Sequence, residues 1–150
     1  MTIFYEDLDV GHVEEFGAYE VTEAEVLEFA ERYDPQWFHV DKERAEAESM
    51  YGGLIASGWH TASMTMRLVV DNHLSEAASL GAKGVRELQW RNPVRPGDVL
   101  SVRVEVLEKE IERPNRGLVV TRTETLNQDD EVVLSMVSEV MYALREGDSR

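Results

Sequence analysis

An acid and an imidazole five residues apart, Asp34 and His39, stand in the stretch YDPQWFHVDKERAEAESMYGGLIASGWH that runs from Tyr33 to His60. A carboxylate and an imidazole that converge on one water molecule can take a proton from it and hand one back, which is general acid–base chemistry. Residues at that spacing do not point at one spot from a regular helix or strand. Pro35 lifts the obstacle, because it forces Tyr33 and Asp34 out of helical geometry and bends the segment into a loop. Further along, Ser57-Gly58 opens a long apolar helix whose first backbone N–H groups lack intrahelical acceptors. Such groups hold a developing negative oxygen. Acid, imidazole and helix start together point to an active site, with Trp37, Phe38, Trp59, His60 and Met64 as candidate pocket residues, although aromatic and Met side chains more often belong to a core.

Each of these residues also has a purely structural reading. Asp34 before proline is a good helix-ending turn residue, and His39 can cap a neighbouring carbonyl. Gly58 is also what close helix packing requires, and Ser57 is a natural N-cap. His60, in the first turn of the helix, reads as a packed or solvent-bonded histidine that can also line the site. His12 and His73 read as structural. The four histidines are scattered with no His-x-x-x-His pair, so no metal site is expected.

The elements that must position these groups follow from spacing. Residues 1–11 form an N-terminal arm with Ile3, Phe4 and Tyr5 available to dock, and His12–Tyr19 reads as a first strand. Thr22-x-x-Glu25 is a capping box, followed by apolar residues at helical spacing, which predicts a helix from about Glu23 to Arg32. The loop Asp34–Asp41 comes next, and Asp41 caps a short polar helix, KERAEAES. In the long helix, apolar residues from Trp59 to Val70 lie on more than one side, so other structure should wrap it. From Gly81 the period changes. Val85–Trp90 and Val99–Leu107 read as strands, the second with Val102, Val104 and Val106 on one face. Residues 113–117 read as a loop, Leu118–Leu126 as a strand, Asn127–Asp130 as a hairpin turn and Glu131–Leu144 as a final strand. Glu146–Arg150 is a polar tail. Two early helices followed by antiparallel strands give an α+β class, and a curved antiparallel sheet around a long central helix, a hot-dog arrangement, is one candidate. Such a sheet has an open face and edge, which a second copy would cover, so a homodimer or higher homo-oligomer is expected.

At 150 residues the chain fits a single domain. No cysteine is present, which excludes thiolate chemistry and cysteine metal sites. No stretch reads as a signal peptide or a membrane span, so a soluble cytoplasmic protein is expected. The formal net charge is −15, and only Lys42, Lys83 and Lys109 are lysines. An acidic, lysine-poor surface suits a salt-rich setting and argues against nucleic acid or anionic membranes as partners. An ordinary acidic cytosolic protein fits the same charge.

The loop Asp34-Pro35-Gln36-Trp37-Phe38-His39, followed by Gly52-Gly53-Leu54-Ile55-Ala56-Ser57-Gly58, resembles the MaoC-like acyl dehydratases, which include the (R)-specific enoyl-CoA hydratases. Their loop reads Asp-x-Asn-Pro-x-His, with an apolar helix starting some twenty residues later, and Asn92–Asp98 resembles their later inter-strand turn. The resemblance implies a hot-dog fold and a hydratase or dehydratase acting on a coenzyme A or acyl-carrier-protein thioester, with no cofactor beyond coenzyme A as part of the substrate. It implies Asp34 and His39 as catalytic acid and histidine and Gly58 as the donor to the thioester oxygen. Gln36 and Trp37 depart from the pattern, and Met66 falls where some relatives carry a helical serine. Arg91, Arg95, Arg113 and Arg116 are available for the phosphates of coenzyme A, and equally to balance an acidic surface. A thioesterase and a non-catalytic acyl-CoA-binding protein on the same fold are the alternatives. The absence of any acid between Gly58 and Val70 counts against the thioesterase.

Overall fold

The helices begin where side-chain oxygens are available to cap them. Thr22 Oγ1 accepts from the Glu25 N–H at the start of α1 (Glu23–Tyr33), and Asp41 accepts from the Arg44 N–H at the start of α3 (Lys42–Glu48). Between them, a single helical turn, α2 (Trp37–Val40), replaces the middle of the expected 34–41 loop. Asp34 breaks α1 with φ −153° and ψ 68°, as a residue before proline should. The chain then turns through the glycine pair to Ser57, whose hydroxyl caps the 15-residue α4 (Gly58–Asn72). The computed structural model describes residues 1–145, so the tail expected over 146–150 lies outside the described residues.

The strands are β1 (Val13–Glu20), β2 (Ser79–Trp90), β3 (Val99–Arg113), β4 (Arg116–Leu126) and β5 (Val132–Ala143). They form one antiparallel sheet in the order β1-β3-β4-β5-β2. The sheet curls around α4 as a hot-dog fold. Met64, Leu68 and the α1 residue Val26 pack against Leu100, Val102 and Val133 of the sheet, all at most 6% exposed. Close approach of helix and sheet is set at Gly17, where φ is +95° and a Cβ would lie 2.7 Å from Leu68 Cδ2. A register shift between Phe16 and Tyr19 accompanies it.

Three expected boundaries differ. β2 starts at Ser79 rather than Val85, because its glycine-rich first half has no alternating pattern of its own and is held by pairing with Tyr142 and Val140. β3 runs on to Arg113, and the 113–117 loop shrinks to a two-residue turn, Pro114-Asn115, closed by the Arg113–Arg116 pair. The capping box at Thr22 is half made, since the Glu25 carboxylate is engaged elsewhere. At the N-terminus Tyr5 is buried against Gly117, and Ile3 bridges to Ala77.

Candidate active site

Asp34 leaves α1 facing the start of α4. Ser57 Oγ donates to Asp34 Oδ2 at 2.7 Å while accepting the Trp59 N–H at 3.3 Å, so one hydroxyl caps α4 and grips the acid. Gln36 Nε2 donates to Asp34 Oδ1 at 2.8 Å. Burial alone would raise the Asp34 carboxyl. The hydrogen bonds from Ser57 and Gln36, with the charge on His39, outweigh it, and the net shift is downward. Asp34 is therefore an ionised carboxylate at neutral pH.

α2 turns His39 towards that carboxylate. The ring is 4% exposed, and its Nε2 stands 3.3 Å from Asp34 Oδ2. Its Nδ1 lies 2.8 Å from the Ile55 carbonyl. A carbonyl oxygen can only accept, so Nδ1 carries the proton, and in the neutral ring Nε2 presents a lone pair. A charged ring donates from Nε2 to Oδ2, and once that proton has left, Nε2 and Oδ2 are two acceptors side by side. A water molecule with two O–H groups suits such a pair.

A cleft of about 400 Å³ opens here, lined by Asp34, His39, Phe38 and Gly58 with Trp59, Trp90 and Arg91. The Gly58 N–H is the first of α4 and has no intrahelical acceptor. Trp90 lies against the helix start. Its Nε1 donates to the Gly58 carbonyl at 2.8 Å, and a Cβ on residue 58 would sit 2.5 Å from its ring. Any side chain at 58 would displace the indole.

Residues 10–129 match the family described as MaoC like domain. The chain belongs to that family. Among solved structures, the MaoC-like dehydratase from Rhodospirillum rubrum superposes with a TM-score of 0.86 at 42% identity, covering 95% of this chain and 98% of that one. The R-hydratase PhaJ1 from Pseudomonas aeruginosa does so at 0.74 and 26% identity, covering 96% and 88%. A 3-hydroxybutyryl-CoA dehydratase from Methylorubrum extorquens is 33% identical over 133 residues, 88% of this chain and 79% of that protein.

Within this MaoC-like domain, the cleft brings together Asp34, His39, Gly58, Phe38 and Trp59. Ser57, fully buried, backs it. Three of the expected pocket residues lie elsewhere, Met64 among them in the core. Trp37 is capped by the Arg44 guanidinium, 4.1 Å from its ring centre. His60 turns to a separate groove beside α1, because the first turn of α4 has both a cleft face and an α1 face. Of the four arginines considered for phosphates, only Arg91 lines the cleft. Met66 is half-exposed on the outer side of α4, whereas the hydroxyls of Thr61 and Thr65 lie on its buried side. His73 is buried at the far end of α4, its Nε2 2.8 Å from the Tyr142 hydroxyl. Among the described residues, no group of three or more His, Asp or Glu gathers to hold a metal, and no helix is long and apolar enough to cross a membrane. The sequence reading missed Trp90 and the double grip on Asp34. The amide at Gln36 was the available signal for half of that grip.

Proposed function

We propose that this cleft catalyses the reversible addition of water to a trans-2-enoyl thioester, giving an (R)-3-hydroxyacyl thioester. The observation that carries this reading is the pairing of the Asp34 carboxylate with Nε2 of His39, whose Nδ1 is held by the Ile55 carbonyl, beside the free end of a helix. One water donates an O–H to each acceptor. As its oxygen bonds to C3, the C2–C3 π electrons move to C2 and onto the thioester oxygen. The pair takes a proton from the water and returns one to C2, and the carbonyl re-forms. The Gly58 N–H, at the positive end of the α4 dipole, steadies the oxygen while it carries charge. General acid–base assistance supplies roughly 10²–10⁴-fold and one oxyanion donor roughly 10²–10³-fold. Ser57 and Gln36 act on Asp34, keeping it ionised and aimed.

The (R) outcome and the coenzyme A thioester are supported by the similarity to the R-hydratase and to the 3-hydroxybutyryl-CoA dehydratase. A homodimer is part of the same reading. β2 is an edge strand with Leu80 and Trp90 exposed, α4 exposes Trp59, Met66 and Val70, and Trp59 and Trp90 also line the cleft, so this apolar surface is the candidate for pairing with a second copy.

The test follows enoyl-thioester absorbance with crotonyl-CoA. Wild type removes the band, and Asp34→Asn, which keeps shape but cannot take a proton, loses roughly 10²–10⁴-fold in rate. Equal loss of the band with both proteins would remove Asp34 from the mechanism. Release of free thiol would make the protein a thioesterase instead.

A further inference from the structure

His60 lies two residues past Gly58, yet its ring faces away from the cleft. It is 3% exposed and stacks on Phe29, with ring centroids 4.7 Å apart and planes 8° from parallel. Its Nε2 stands 3.4 Å from Glu25 Oε1, and the same oxygen accepts a 2.6 Å hydrogen bond from the Tyr19 hydroxyl. Burial lowers the His60 pKa and Glu25 only partly opposes this, so the ring is neutral at neutral pH. A carboxylate can only accept, so this contact favours the tautomer with the ring proton on Nε2. Nδ1 is buried without a partner. The ring is thus held by one polar contact and one stacked face, both supplied by α1.

Three elements meet at this knot: β1 through Tyr19, α1 through Glu25 and Phe29, and α4 through His60. Glu25 and Phe29 are four residues apart and share a face of α1. That helix ends at Asp34, and the helix carrying His60 begins at Gly58. The reacting groups therefore sit at the ends of two elements that the knot ties together behind the cleft. At the cleft itself the link between them is the Ser57–Asp34 hydrogen bond. Glu25 also sits where a capping box would turn its carboxylate back to Thr22, and instead it reaches Tyr19 and His60.

We propose that His60 is a positioning residue: by gripping Glu25 and Phe29 it fixes α1 against the start of α4, and so sets Asp34 against Ser57 and Gly58. The proposal rests on the hydratase reading of the cleft for its kinetic effect but not for its geometry. Misplacement by ~1 Å can cost ~10²-fold in rate.

The experiment compares wild type, His60→Leu and His60→Gln, the last keeping an N–H donor near the position of Nε2. The expected result is a fall in kcat of about tenfold for His60→Leu with KM held within about twofold, and recovery of most of it in His60→Gln. In the unliganded proteins, ¹³C NMR of the Asp34 carboxyl should show its titration midpoint rising in His60→Leu, as the Ser57 hydrogen bond loosens, and returning in His60→Gln. If wild type does not hydrate enoyl thioesters, the functional reading falls, while the Asp34 titration still tests the strut. Should His60→Leu fail to fold, Glu25→Ala, at a side chain 42% exposed, is judged by the same readouts. An Asp34 midpoint unmoved by either substitution would overturn the proposal.

Discussion

Asp34 has a donor on each oxygen, and that decides how it titrates. Its folded pKa is depressed, so its contribution to stability is fully present above the ordinary carboxylate value of about 3.9 and is lost as pH falls through the folded value. Ser57→Ala removes one donor and narrows the gap. The unfolding free energy should then change less between about pH 5 and about pH 2 in the variant than in wild type, measured by urea denaturation. Its hydration rate should fall about tenfold, as loss of a hydrogen bond to a charged group implies. An unchanged pH dependence would mean that Ser57 only caps α4. Gly58→Ala tests the site of the proposed oxyanion donor. The new Cβ would fall 2.5 Å from Trp90 Cε2, so the indole must leave the Gly58 carbonyl. Activity should drop about 10²-fold and tryptophan emission should shift; normal emission with normal activity would contradict this. The sequence showed Ser57 as an N-cap, because that role is local. It did not show the hydroxyl proton going to Asp34, 23 residues back, because that depends on how α1 meets α4. The orientation of His60 was hidden for the same reason.

Among the elements, α4 is joined to the sheet by apolar contacts, by the Trp90–Gly58 hydrogen bond at its start and by a buried hydroxyl pair midway along it. Thr65 Oγ1 donates to the Thr61 carbonyl at 2.8 Å and lies 2.6 Å from Thr125 Oγ1 on β4, with both residues fully buried. A hydroxyl has one proton, so if that of Thr65 goes to Thr61, Thr125 must donate to Thr65. Thr65→Val strands the Thr125 hydroxyl, at a cost of about 1–3 kcal/mol. Thr65→Val with Thr125→Val removes both groups and should recover most of that, which a double-mutant cycle in urea would measure. Additive losses would show that the two hydroxyls do not meet. The starts of α1, α3 and α4 were legible at this scale because Thr22, Asp41 and Ser57 mark them, whereas α2, which has no side-chain cap, was read as loop. β3, β4 and β5 were legible where side chains alternate. The first half of β2 was not, because Gly81 and Gly84 carry no pattern and the strand exists there through its pairing with β5.

For the whole molecule, charge and apolar surface pull in opposite directions. Each chain carries −15, and joining two copies through β2 and the outer side of α4 would bring those charges together. The apolar surface there favours association at any ionic strength, whereas the repulsion depends on salt: the screening length is about 30 Å at 0.01 M and about 3 Å at 1 M. The same repulsion acts within each chain, where it opposes the compact state. Added salt should therefore tighten the proposed dimer and raise the melting temperature together. Light scattering across a dilution series in about 0.01 M and about 1 M KCl should show monomer appearing at higher protein concentration in the low-salt series. Melting should move up by several degrees over the same range, on the scale of ~2–4 °C per kcal/mol for a domain of this size. Leu80→Glu, on the exposed edge strand, adds a charge to each side of the proposed interface and should shift association towards monomer, most strongly at low salt. A dimer indifferent to both salt and Leu80→Glu would have to be built on another face, and the cleft would then open to solvent rather than against a second copy.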